Sequence, residues 1–218
     1  MIAENLHRVR ATLKPGVRLV AVSKYHPVEA LQEAYDAGQR VFGESHVQEL
    51  VAKVPRLPAD IEWHFIGHLQ KNKVRQLLPH VAMIHSVDTI ELLRIIEKEA
   101  SRVGRQVDVL LEVHVAREQA KSGFLPDELV ALARSGAFNN LTQARLRGIM
   151  AMATFTDDMT LIDSEFALVE RTFATLRHML PSPRFNQLSM GMSDDWPVAV
   201  KHGATMVRIG TGIFGPRV

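Results

Sequence analysis

The stretch Arg18-Leu-Val-Ala-Val-Ser-Lys24 leads through His26 into Pro27-Val-Glu-Ala-Leu-Gln-Glu-Ala-Tyr-Asp-Ala37, then Gly38 and Gln39-Arg-Val-Phe-Gly43. The first run is apolar and rich in Val, the pattern of a strand buried on both faces. Pro27 suits the first turn of a helix, 27–37 has helical spacing, and Gly38 suits its end. Residues 39–43 then read as a second strand. A strand, a helix and a second apolar strand make a right-handed βα unit of a parallel sheet.

The unit repeats along the chain. Strands are expected at 62–67, 81–86, 107–115, 146–152, 185–189 and 206–210. Between them, helices are expected at 46–53, 71–78, 89–103, 126–135, 161–179 and 197–202. Asp88 or Thr89 serves as N-cap of the 89–103 helix, and Gly104 stops it. Eight strands in 218 residues, about 27 residues per unit, predict a single α/β domain over 1–218, a (β/α)8 barrel. An open doubly wound sheet is the rival architecture. The chain ends just after the eighth strand, so a helix at 3–13 is expected to cover the seam.

Composition narrows the function classes. Hydrophobic residues make up 46% and charged residues 23%, enough for a sizeable core and unlike a disordered chain. The formal charge of +2 gives little steering toward nucleic acid or membrane. There is no cysteine, which excludes disulfides, thiolate nucleophiles and Cys-ligated metals. The N-terminus lacks the apolar core of a signal peptide and no run approaches a bilayer span; a cytoplasmic location is expected. The histidines show no convincing metal-ligand spacing. The basic start of the 71–78 helix reads as a solvated face.

Barrel enzymes place their chemistry at the C-terminal ends of the strands, with phosphates on the loops after strands seven and eight. Here those loops read Ser189-Met-Gly-Met-Ser193 and Arg208-Ile-Gly-Thr-Gly-Ile-Phe-Gly215. Glycines let backbone N–H groups approach an anion, and hydroxyls add donors. Taken singly, each loop also reads as a plain strand cap. Lys24 ends the first strand, on the side of Val20 and Val22 by alternation. It is either a Schiff-base lysine or a side chain reaching to solvent. A lysine with two phosphate loops suggests a phosphorylated aldehyde, and pyridoxal phosphate is the commonest such cofactor.

Several segments resemble the pyridoxal phosphate homeostasis protein family: Ala21-Val-Ser-Lys-Tyr-His-Pro27, Phe42-Gly-Glu-Ser-His-Val-Gln-Glu49, Trp63-His-Phe-Ile-Gly-His-Leu-Gln-Lys-Asn-Lys73, His85-Ser-Val-Asp88, Lys121-Ser-Gly123, Leu188-Ser-Met-Gly-Met-Ser-Asp194 and Val207-Arg-Ile-Gly-Thr-Gly-Ile-Phe-Gly215. The resemblance implies a barrel like the N-terminal domain of alanine racemase. It implies a pyridoxal 5'-phosphate Schiff base at Lys24, phosphate contacts from Ser189, Gly210 and Thr211, and Arg208 beside the pyridine nitrogen. Gly191 belongs to the same phosphate loop. Ser45 stands where the family commonly has Asn near the ring, and His26 where it commonly has a second lysine. His64 and Met150 join the candidate set as ring-facing or wall residues, and Lys121 as a second amine or a plain loop residue.

The resemblance implies a carrier for intracellular pyridoxal phosphate homeostasis and delivery, without strong catalysis and with no catalytic residue assigned. An arginine does not readily give up its proton, so Arg208 leaves the pyridine nitrogen unprotonated and the ring a weaker electron sink. Racemases of this architecture use a second base, usually a partner subunit's tyrosine, and the chain's tyrosines are Tyr25 and Tyr35. The expected partners are pyridoxal phosphate and, transiently, apo-enzymes that use it, with no nucleic acid and no membrane. A monomer is expected, since no long apolar surface helix stands out. The rival functions are an amino-acid racemase and a Schiff-base barrel enzyme acting on a sugar phosphate.

Overall fold

The computed structural model describes residues 1–117, 122–180 and 182–216. Its strands are β1 Arg18–Val22, β2 Val41–Glu44, β3 Glu62–Phe65, β4 Met83–Val87, β5 Val107–His114, β6 Ala144–Met152, β7 Gln187–Ser189 and β8 Met206–Ile209. Every neighbouring pair is parallel, and β8 pairs back onto β1 with Arg18 opposite Met206 and Ala21 opposite Ile209. The sheet is therefore a closed barrel in sequence order, and the open-sheet alternative is excluded.

The helices are α1 Ile2–Thr12, α2 Val28–Asp36, α3 Val47–Lys53, α4 Val74–Leu77, α5 Ile90–Arg102, α6 Pro126–Arg134, α7 Met159–Met179, α8 Trp196–Lys201 and α9 Thr211–Phe214. Thr89, one of the two expected caps of α5, accepts the Leu92 N–H on its hydroxyl. The apolar stripe Leu92, Leu93, Ile96 and Ala100 of α5 is fully buried against the sheet. Burial of such a large aliphatic side chain is worth roughly 1.5–3 kcal/mol.

Two expectations are refined. The first strand stops at Val22, not Lys24, because the chain turns away after Ser23. The glycine-rich loop after β8 contains a helical turn, α9, whose Ile213 is fully buried. There α1 closes the seam, as expected: Asn5 Nδ2 donates to the Ile213 carbonyl at 3.1 Å.

The core has two parts. The larger lies between the strands and the helices. The smaller fills the barrel axis, where Val20, Val41, Met83, Leu110, Met150 and Met206 meet. Those inward positions alternate with outward ones, so the next inward residues towards the C-terminal ends, such as Val22 and Met152, reach the mouth. Among the described residues, no helix is long and apolar enough to cross a membrane, and no cluster of His, Asp and Glu could hold a metal.

Candidate functional site

A cavity of about 140 Å³ opens at the C-terminal ends of the strands. Val22, Lys24 and His26 border it on the β1 side, Ser45 and Ile66 follow β2 and β3, and Met152 ends β6. Met192, Ser193, Arg208, Gly210 and Thr211 complete it from the loops and strand that follow β7. The loops after the seventh and eighth strands thus meet the lysine of the first.

Lys24 is held by its neighbours. Ser23 N donates to the Gly43 carbonyl at 3.0 Å, extending the sheet by one rung. Tyr25 then adopts φ +66°, a left-handed conformation that costs a non-glycine residue roughly 1–2 kcal/mol. Contacts from α3 and its approach offset that strain. Tyr25 N donates to Glu49 Oε1 at 2.7 Å, and Lys53 Nζ donates to the Ser23 carbonyl at 2.8 Å. Lys53 also meets Glu44 and Glu49, each at 2.7 Å, and the Ser23 hydroxyl donates to Glu44 at 2.6 Å. Burial pushes the Glu44 carboxyl pKa up, with Lys53 opposing that shift. The turn leaves Lys24 half-buried at the cavity, places Tyr25 outside against His46, and stacks the buried ring of His26 on Phe214 at 4.9 Å.

Arg208 forms part of the cavity wall from inside the barrel and is 4% exposed. Its Nη1 donates to the Ser189 carbonyl at 2.9 Å and to Ser189 Oγ at 2.6 Å, while Nη2 donates to the Ala151 carbonyl at 2.9 Å. Burial lowers its pKa to about 10, against the raising influence of Asp195 and Glu112, and it stays a cation at neutral pH. Glu112 is also buried, and burial raises its pKa to about 7.

Of the nine residues expected from sequence, Lys24, Ser45, Arg208, Gly210 and Thr211 border this cavity. The other four sit elsewhere. The Ser189 hydroxyl points beneath the cavity towards Arg208 and His85; the serine of that loop that borders the cavity is Ser193, past the turn at Gly191. Gly191 has φ +93°, and a Cβ there would lie 2.7 Å from Ala199 Cβ. Its role is thus to make that turn, and its carbonyl accepts the Arg208 N–H at 2.9 Å. His64 is fully buried beside His85. Met150 lies in the axial core, one inward step below Met152. Period-two counting from the strand ends would have separated mouth from axis. Lys121 lies outside the described residues.

The comparisons with known proteins agree with this geometry. The family model described as alanine racemase, N-terminal domain, matches residues 1–218. The pyridoxal phosphate homeostasis protein of Haemophilus influenzae is 39% identical over 204 residues, covering 92% of this chain and 85% of the relative. PipY of Synechococcus elongatus, solved without PLP, superposes with a TM-score of 0.94 at 41% identity, covering 99% of this chain and 100% of PipY. Its structure with PLP bound gives 0.89 at 40% identity, with the same coverage. Alanine racemase of Clostridium difficile shares the fold, at a TM-score of 0.79 and 14% identity, with 97% of this chain matching 56% of the racemase. The chain belongs to the alanine racemase N-terminal domain family and, within it, to the pyridoxal phosphate homeostasis proteins.

Proposed function

We propose that this chain is a carrier of pyridoxal 5'-phosphate for intracellular homeostasis and delivery, acting as one barrel domain and as a cytoplasmic monomer. The observation that carries the reading is the meeting of Lys24 and Arg208 with Ser193, Gly210 and Thr211 around one cavity. That donor set fits the cofactor: an amine for its aldehyde, a cation for its ring nitrogen, and hydroxyl and backbone donors for its phosphate. Gly210 adds room, since a Cβ there would come within 3.1 Å of the Val22 carbonyl. The name of the curated relative and the PLP in the PipY structure support the same assignment.

In this reading Lys24 Nζ forms the Schiff base with the aldehyde carbon, and the aldehyde oxygen leaves as water. Arg208 spends three N–H groups on Ser189 and Ala151 and turns its remaining donors to the ring nitrogen. Ser193, Gly210 and Thr211 receive the phosphate, and Ser45 faces the ring. Ser189, Gly191, His64 and Met150 support this set from below. Bound pyridoxal phosphate supplies an electrophilic imine carbon and an electron-accepting ring.

Two observations favour holding over racemisation. Tyr25 is exposed beside His46, and the Tyr35 hydroxyl donates to Asp60 at 2.6 Å, so neither tyrosine supplies a base at the cavity. Apo-enzymes receiving the cofactor would meet the protein at this mouth. The test is titration with pyridoxal phosphate, followed by visible absorption, borohydride reduction and peptide mass analysis. A pyridoxyl group on Lys24, absent in Lys24→Ala, is expected. A protein that stays colourless and unmodified overturns the proposal. Rapid interconversion of L- and D-alanine would instead establish a racemase, and borohydride trapping of a sugar phosphate a sugar-phosphate enzyme.

A further inference from the structure

Below the cavity a continuous set of polar side chains crosses the apolar axis of the barrel. Arg208 Nη1 donates to Ser189 Oγ at 2.6 Å, and Ser189 Oγ lies 3.0 Å from His85 Nδ1. His85 Nε2 lies 2.9 Å from His64 Nδ1, and His64 Nε2 lies 3.0 Å from Glu62 Oε1. The second Glu62 oxygen accepts from Arg18. Ser189 and both histidines are at most 0% exposed, whereas Glu62 and Arg18, at the starts of β3 and β1, are 34% and 42% exposed at their side chains. The set therefore runs from the cavity floor to the opposite, N-terminal end of the barrel.

Hydrogen accounting gives the set a direction. A guanidinium only donates, so the Ser189 oxygen accepts from Arg208. Its single hydrogen then points to His85 Nδ1, which must be an acceptor. A neutral His85 carries its proton on Nε2 and donates it to His64 Nδ1. His64 in turn carries its proton on Nε2 and donates to Glu62. The reverse order would set a bare His64 nitrogen lone pair against the Glu62 carboxylate. A doubly protonated histidine would add a cation to an interior already flanked by Arg18 and Arg208. Every link is satisfied only with both histidines neutral and protonated at Nε2.

We propose that Ser189, His85, His64 and Glu62 form a one-way hydrogen-bond relay that fixes Arg208 at the cavity floor, with His85 as its central positioning residue. Resting on the proposed cofactor-binding role, the relay determines what the floor can offer. Arg208 is held as a donor and cation, and the hydrogens behind it all point away from it, towards Glu62. The ligand atom that meets Arg208 must therefore be an acceptor. The relay itself also keeps a constant charge between about pH 5 and 8, where a free histidine changes charge; the carboxyl beside the floor that titrates in that window is Glu112. The groups facing the two rings act in that sense: burial lowers both histidine pKa values, Arg18 adds to the effect at both, His64 and Arg208 add to it at His85, and Glu62 and Asp108 oppose it only at His64.

The relay is tested in the ligand-free full chain labelled with 15N-histidine. Long-range 1H–15N spectra should show two neutral rings protonated at Nε2, unchanged from about pH 5 to 8. A ring protonated at Nδ1, or titrating within that window, overturns the proposal. The positioning role is tested by pyridoxal phosphate binding. His85→Phe should weaken binding by about two- to tenfold, the worth of one neutral hydrogen bond. His85→Asn, which keeps an acceptor for Ser189, should recover part of that loss. Ser189→Ala, which deletes a single oxygen, should weaken binding in the same direction. Unchanged affinity in His85→Phe and Ser189→Ala overturns the role. Wild-type protein that binds no pyridoxal phosphate sinks the carrier reading, while the spectra still judge the relay.

Discussion

Lys53 Nζ donates to the backbone carbonyl of Ser23 at 2.8 Å, one residue before Lys24 in the chain. The ammonium is 7% exposed and also meets Glu44 and Glu49, each at 2.7 Å. Glu44 Oε2 is already buried without a hydrogen-bond partner among the described residues. Removing Lys53 would leave that buried carboxylate without its cation and with the Ser23 hydroxyl as its donor. Breaking such a pair from one side costs about 3–5 kcal/mol. Lys53→Met should lose that much in urea unfolding, and the doubly neutral Lys53→Met/Glu44→Gln should recover a large part. A single variant as stable as the parent would show that the cluster does not hold the Lys24 turn.

Gly67 lets two loops of the mouth cross. A Cβ there would lie 2.2 Å from the Ser45 carbonyl oxygen and 2.7 Å from Ser45 Cα. Both contacts are backbone, so no rotamer change relieves them. Ser45 and Ile66, on either side of this crossing, border the cavity. Gly67→Ala should destabilise the fold by about 1–3 kcal/mol, as overpacking does, and should weaken pyridoxal phosphate binding in the protein that remains folded. Melting temperature and a binding titration check the two parts. Full retention of both would mean that the loops can separate without consequence.

The alternation of apolar runs and helical spacing made the barrel legible, because parallel strands buried on both faces leave long Val- and Leu-rich signatures. Thr89 capping α5 was legible for the same local reason. The turn at Lys24 was not. It is made by Lys53 and Glu49, remote in sequence, and the apolar run before it reads as uninterrupted strand. The glycines around Thr211 hid α9, which forms where Ile213 is buried and Asn5 meets its carbonyl. Within the site, residue type was legible but depth was not. Ser189 and Ser193 carry the same hydroxyl in one short loop, and the Gly191 turn decides which of them meets the cavity. His64 likewise looked like a mouth residue until its link to His85 placed it in the axis.

The Glu62 carboxyl is held at a pKa of about 2, first by its hydrogen bond with His64 and further by Arg18, against some desolvation. A carboxylate lowered from 4.5 stabilises the native state at pH values above 4.5, and that contribution is lost as pH falls towards about 2. Glu62→Gln should therefore be less stable than the parent at neutral pH, and the gap should close with acidification. Because the side chain is 34% exposed, solvent screening tempers the gap. Urea midpoints of both proteins from neutral to acid pH check this. A gap that does not depend on pH would assign the loss to packing instead of charge.

Glu112 has the opposite sign. It is 4% exposed beside the cavity floor, and burial raises its pKa from 4.5 to about 7, with Asp88 adding to the rise and the Ser122 hydroxyl, at 3.2 Å, and Arg208 opposing it. The unfolded chain releases this proton near 4.5 while the folded chain keeps it to about 7. Across that window the native state binds more protons, so stability falls as pH rises and the full cost persists above about 7. The size of the shift corresponds to about 3 kcal/mol. Glu112→Gln keeps the shape and removes the ionisation. Relative to the parent it should gain stability at pH about 8 and gain little at pH about 4. Denaturant unfolding at the two pH values measures the difference. An equal gain at both would mean that the amide packs better than the acid, and that Glu112 does not ionise at the cost its burial implies.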